Sequence, residues 1–368
     1  MLGKDQNVRA AFEQLSEQSP FRVIFELQAE TVQNLASLLA FKTFPAYVSC
    51  CLEVTQKLLQ PTHAQLVDQL KARASENKCE FHLTASNPSS QEIDMLASLN
   101  FSCDVHLADL PIQNVQHLAN LRHLNELFLR GCNNLSDEMT IPALQQLTDV
   151  AFSECDSVKV VRFEAALQNL KNVRLTLCRQ CTTLDISLLS GLESVVLEDC
   201  ASFETLYIDG PTAVKHLIIE LCERMATPKG TDFPHLQTLV LRSLEEKQAR
   251  QLDNFLQLKD ITVEEQACQK LLLQNMPQLE CAKVVGCYAL RKLALTQLPV
   301  IEELTVEHSG VRDTFTIDAH LPSLRAFTVV DCDSKSFNVG HYPNLQTFKT
   351  IDYAGKVCTI NFQPKASV

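Results

Sequence analysis

A three-residue unit, apolar–x–apolar, recurs through this chain at a nearly constant step, and that periodicity constrains the fold more than any other feature. Leu127-Phe-Leu129 is followed by Val150-Ala-Phe152, Val173-Arg-Leu175, Val195-Val-Leu197, Leu217-Ile-Ile219, Leu239-Val-Leu241 and Ile261-Thr-Val263. The series continues as Ala282-Lys-Val284, Leu304-Thr-Val306 and Phe327-Thr-Val329, with Phe348-Lys-Thr350 a weaker last copy. Each step is 21 to 23 residues. An apolar residue stands three positions before every unit, from Leu124 to Leu345. Three positions after it a cysteine recurs, at Cys132, Cys155, Cys178, Cys200, Cys222, Cys287 and Cys332. A repeat this short cannot bury its own apolar edge, so neighbouring repeats must stack into a quasi-one-dimensional array.

Written out, the pattern is L-x-x-L-x-L-x-x-C-x-x-L, and it resembles the leucine-rich repeat in its cysteine-bearing form. The resemblance is strong over about residues 100–355 and looser over 20–100. It implies an α/β solenoid: a leucine-rich-repeat arc whose parallel β-sheet lines the concave face. Each unit is then a short strand with two inward side chains and one outward residue between them. The cysteines form a structural ladder of core positions.

The return segments read in two ways. Val161-Arg-Phe163, Leu184-Asp-Ile186, Leu206-Tyr-Ile208, Leu293-Ala-Leu295, Phe315-Thr-Ile317 and Phe337-Asn-Val339 look like second strands. Between these groups, Leu244–Leu258 and Gln266–Leu279 are rich in Glu, Lys, Gln and Leu and read as helices. The expected convex side is therefore mostly extended, with some helices.

Upstream, Val105-His-Leu107 and Phe81-His-Leu83 keep the register, and Arg22–Leu27 and Ala46–Val54 read as strands. Residues 29–42 and 61–77 read as helices, and an amphipathic helix from about Asp5 to Gln18 is expected to cap the array. The expected organisation is a helical cap at 1–20, irregular strand–helix repeats at 21–100, regular repeats at 101–355 and a tail at 356–368. A separate small α/β domain at 1–100 is the alternative.

Composition narrows the function. A net charge of −12 disfavours nucleic acid and anionic membranes as partners. No apolar run approaches a membrane span, and no signal-peptide core opens the chain, so no membrane insertion is expected. Fifteen cysteines without such a signal fit a reducing, cytoplasmic compartment. Phosphate-binding, zinc-protease and nucleophile-elbow motifs are absent. Cys178-Arg-Gln-Cys181 has the spacing of a redox pair or half a zinc site, but both cysteines fall on core positions of one repeat. His82 and His106 are expected side by side on adjacent strands, without a closed ligand set, so no metal and no cofactor is assigned.

The concave face is the candidate site. Val196, Ile218 and Val240 are consecutive outward positions and all apolar, edged by Glu198, Glu220 and Arg242, then Glu264. An apolar strip with a charged rim has the anatomy of a protein-binding surface. The competing reading is that β-branched residues simply suit a flat sheet. Phe128, Arg130 and Arg174 form a second cluster of hot-spot residue types.

The repeats are similar to those of F-box substrate receptors of ubiquitin ligases, of plant immune receptors and of effectors from intracellular bacteria. The resemblance implies a non-catalytic module that binds a partner protein on its concave face, as a bacterial effector or a cytosolic adaptor. Its expected place is the cytoplasm, or the host cytoplasm if it is secreted. A substrate-recognition subunit or fragment of a ubiquitin ligase is the alternative. A capped solenoid needs no self-association, so a monomer is expected.

Overall fold

The computed structural model describes residues 116–164, 167–209, 212–244, 249–310, 316–319, 321–332 and 342–351, and the strands at 23–26, 50–54, 80–86, 102–108 and 357–361. In chain order the strands are β1 (Val23–Glu26), β2 (Cys50–Val54), β3 (Glu80–Ser86), β4 (Ser102–Ala108), β5 (Leu124–Arg130), β6 (Glu138–Ile141), β7 (Asp149–Ser153) and β8 (Val160–Phe163). Next come β9 (Asn172–Thr176), β10 (Thr183–Asp185), β11 (Ser194–Glu198), β12 (Thr205–Tyr207), β13 (His216–Glu220), β14 (Thr238–Arg242), β15 (Ala249–Asp253) and β16 (Asp260–Glu264). The last are β17 (Lys270–Gln274), β18 (Cys281–Val285), β19 (Lys292–Thr296), β20 (Glu303–Glu307), β21 (Thr316–Ala319), β22 (Ala326–Val330), β23 (Thr347–Ile351) and β24 (Val357–Asn361).

These strands wind into a parallel β-solenoid. One 16-stranded sheet runs β1-β2-β3-β4-β5-β7-β9-β11-β13-β14-β16-β18-β20-β22-β23-β24. Its neighbours are parallel except for β24, which returns antiparallel along β23. The opposite face carries two four-stranded sheets, β12-β10-β8-β6 and β15-β17-β19-β21. Residues at one repeat position pair with their counterparts in the next, as in Leu217↔Leu239 and Leu239↔Ile261. Inward positions such as Leu197, Leu217, Ile219 and Leu241 are fully buried between the faces. Each is worth about 1.5–3 kcal/mol relative to exposure.

The expected helices on the second face are not there. Among the described residues the sole helical element is a 3-10 turn at Gln116–Asn120. Leu244–Leu258 contains β15 and Gln266–Leu279 contains β17; β15 pairs in register with β17, and β17 with β19 (Arg250↔Leu271↔Leu293 and Leu252↔Leu273↔Leu295). The fold is thus a β-solenoid rather than an α/β solenoid. The physical reason is spacing. Hydrogen-bonded turns repeat every 4.7–4.9 Å along the array, whereas a helix with its side chains is about 10–12 Å across. An extended return matches the sheet opposite, and neighbouring strands satisfy its backbone. The helical caps and helices expected at 5–18, 29–42 and 61–77, and the strand expected at Phe337-Asn-Val339, lie outside the described residues.

From β5 to β22, each strand of the long sheet is followed by a left-handed residue. Glu154, Leu177, Asp199, Leu221, Ser243 and Glu265 have φ of 51–57°, and Gly131 and Gly286 take the same place. The N–H of this residue donates to the last carbonyl of the next strand, as from Asp199 to Glu220 at 2.9 Å and from Leu221 to Arg242 at 3.0 Å. The chain then turns inward at the cysteine ladder. Cys200 Sγ donates to the carbonyls of Leu175 (3.7 Å) and Glu198 (3.4 Å), and Cys222 Sγ to those of Leu197 (3.8 Å) and Glu220 (3.3 Å). Cys287 and Cys332 repeat the arrangement. Where the cysteine is missing, Gln266 Nε2 donates to Leu241 and Glu264, and Ser309 Oγ to Glu307. The ladder thus adds a second, weak donor to corner carbonyls that already accept a backbone N–H, as Glu220 does from Asp199.

The gap between the two short sheets falls at residues 222–236, where no strand forms on the second face. Buried Pro228 has no N–H to give a ladder. Gly230 donates to the Asp253 carbonyl at 3.2 Å, and a Cβ there would lie 2.3 Å from the Asn254 carbonyl. Close packing at this turn leaves no room for a side chain.

Candidate partner-binding face

The outward middle row of the long sheet is in unbroken register. Phe128 pairs with Ala151, then Arg174, Val196, Ile218, Val240, Thr262 and Lys283. Val196, Ile218 and Val240 are therefore nearest neighbours across three strands, as the repeat implied. They differ in exposure. Val196 is only 6% exposed, covered between its flanking rungs, while Ile218 and Val240 are half-buried. The accessible part of the strip is centred on β13 and β14.

The charged edge follows the same register, Thr176↔Glu198↔Glu220↔Arg242↔Glu264. Arg242 lies between two carboxylates: Nε donates to Glu264 Oε2 at 2.6 Å, and Nη1 lies 3.3 Å from Glu220 Oε2. The Glu264 hydrogen bond is the main cause that raises the Arg242 pKa above its ordinary value. Glu198 accepts from Thr176 Oγ1 at 3.2 Å. The edge is a relay of polar contacts, with more carboxylates than guanidinium groups to balance them.

The second cluster is looser than its residue types suggested. Phe128 is half-buried, and the Ala151 rung separates it from exposed Arg174. Arg130 turns to Glu154 at 3.2 Å, both well exposed.

His82 and His106 are not brought together. His82 pairs with Ser102 and His106 with Ser86, so the strands are offset by four residues from the sequence alignment. A shift of four keeps both positions on one face but parts them by about 13 Å along the strand. Among the described residues no group of three or more His, Cys, Asp and Glu is placed to hold a metal ion.

The Cys178/Cys181 pair resolves into two core positions. Cys178 is 1% exposed and Cys181 0%, and both are free thiols. Burial pushes the Cys181 thiol up to about 12 despite its contact with the Thr183 carbonyl. Cys178 also reaches about 12: the Cys155 contact lowers it, and the Cys200 contact and burial outweigh that. Neither is a ready thiolate.

One exposed apolar residue of this region escaped the sequence pattern. Leu221, the left-handed corner residue after β13, is 44% exposed. Its signal was a leucine in a row otherwise filled mostly by glycine or polar residues. No helix of the described residues is long and apolar enough to cross a membrane. No family model matches the chain, and no curated protein or solved structure is significantly similar to it.

Proposed function

We propose that the chain is a non-catalytic interaction module that binds a partner protein on the open face of its long sheet. The observation that carries this reading is the apolar row Ile218–Val240, continuous with Val196 and bordered by Glu198, Glu220, Arg242 and Glu264. Apolar surface with a polar rim is the usual anatomy of a specific interface. The likeness of the repeat to leucine-rich repeats, which present an extended surface to partners, points the same way. The burial of Cys178 and Cys181 in the core favours a packing role for that pair over a redox or zinc site.

Photo-cross-linking tests it. A benzophenone side chain placed at 218 or 240 is expected to cross-link a discrete partner in cell extract. The same group at 272, the outward and half-buried Leu272 of β17 on the opposite face, is expected not to. Cross-linking of equal yield from both faces refutes the assignment, as does a pattern unaffected by Ile218→Lys at unchanged melting temperature.

A further inference from the structure

The partner's chemistry follows from what surrounds the corner at Leu221, and this inference rests on the open-face reading. Ile218 and Leu221 belong to one turn, three residues apart, and both present apolar surface to solvent. The hydrogen bonds Asp199 N–H to Glu220 and Leu221 N–H to Arg242 carry the strand register round the corner. Asp199 and Ser243 therefore flank Leu221 at about one strand spacing, ~4.8 Å, on either side.

The charge around this spot is one-sided. Glu198 and Asp199 lie on the rung before Leu221, Glu220 and Glu223 on its own rung, and Glu264 and Glu265 two rungs beyond, with Arg242 on the rung between. Arg242 is already shared by Glu220 and Glu264. Arg224, the next cation in sequence, is engaged with Glu204 at 3.6 Å. Glu265 accepts from Ser243 Oγ at 2.7 Å and Glu198 from Thr176, which orients these carboxylates without neutralising them. Asp199 and Glu223 have no ion pair among the described residues.

We infer that the β13 corner takes a basic segment of the partner protein, with an apolar side chain seated on Leu221 and Ile218 and flanking lysines or arginines on the carboxylates. An acidic segment meets like charge here, and a neutral apolar one leaves the carboxylates without complement on closing. Complementary charge also speeds encounter, and screening by salt weakens it.

The test uses the whole chain and a fluorescein-labelled peptide of alternating leucine and lysine, with a leucine–glutamate peptide of the same length as its mirror. Fluorescence anisotropy is expected to show the lysine peptide binding at least about tenfold more tightly, less so as salt rises through physiological strength. Leu221→Asn, which suits the left-handed backbone, and Glu223→Lys are each expected to weaken it by about tenfold without lowering the melting temperature. Glu303→Lys, four strands away on the same face, is expected to change nothing. Equal affinity for the two peptides overturns the inference. So does a loss from Glu303→Lys as large as from Glu223→Lys, since that is diffuse attraction to a chain of net charge −12. If the peptide fails while cross-linking from 218 and 240 persists, the basic partner is wrong and the face stands. Loss of the cross-linking pattern removes both.

Discussion

Alkylation of the native protein gives a quantitative check on the cysteine ladder. At about pH 8, a thiol of ordinary pKa 9.0 is about one-tenth thiolate, and one raised to about 12, as for Cys181, is about one part in ten thousand. Because the thiolate is the reacting species, iodoacetamide should modify Cys181 about a thousandfold more slowly than a free thiol, before any steric exclusion. Cys287, which burial also raises to about 12, should behave alike. The assay is mass spectrometry of peptides from protein quenched at intervals, with and without guanidinium. All fifteen cysteines should label once the chain is unfolded. In the native state the rates at 181 and 287 should follow global opening and slow under stabilising conditions. Modification of Cys181 within tenfold of a free thiol refutes the reasoning. So does stoichiometric zinc in the purified protein that is lost in Cys178→Ser.

Four further outcomes are expected. Leu197→Ala, at a fully buried position between the two faces, should cost about 2–5 kcal/mol in urea unfolding. Gly230→Ala must displace the Asn254 carbonyl 2.3 Å away, so it should lower the melting temperature, whereas Gly→Ala at an unstrained site raises it slightly. Arg242→Met leaves Glu220 and Glu264, one strand away on either side, without their shared cation; a loss of up to about 1 kcal/mol, smaller at high salt, is expected from chemical denaturation. Glu193 is held down to about 2, from an ordinary 4.5, by hydrogen bonds from Lys171 and Lys215. A depressed carboxylate stabilises the fold above its unfolded pKa. The stability difference between wild type and Glu193→Gln should therefore be full above about 4.5 and vanish as pH falls towards about 2, read from urea midpoints.

The amino-acid sequence by itself determined the array. A 21–23-residue step with paired inward apolar residues leaves stacking as the one way to bury them, and the row Val196–Ile218–Val240 follows from the step alone. The cysteine at a fixed offset was legible as a core rung, which disposed of the Cys178/Cys181 motif before any distance was known. Only the tertiary structure decided the second face. Residues 249–253 and 270–274 have helix-forming composition, yet neighbouring turns at strand spacing offer hydrogen bonds to an extended chain and no room for a helix's width. It also decided register at β3 and β4, where sequence alignment placed His82 beside His106 and pairing moved them four residues apart. Exposure was the last thing it decided. Val196 is covered by its neighbours and Leu221 stands out at the corner, because solvent access belongs to the packed surface rather than to any residue's place in the repeat.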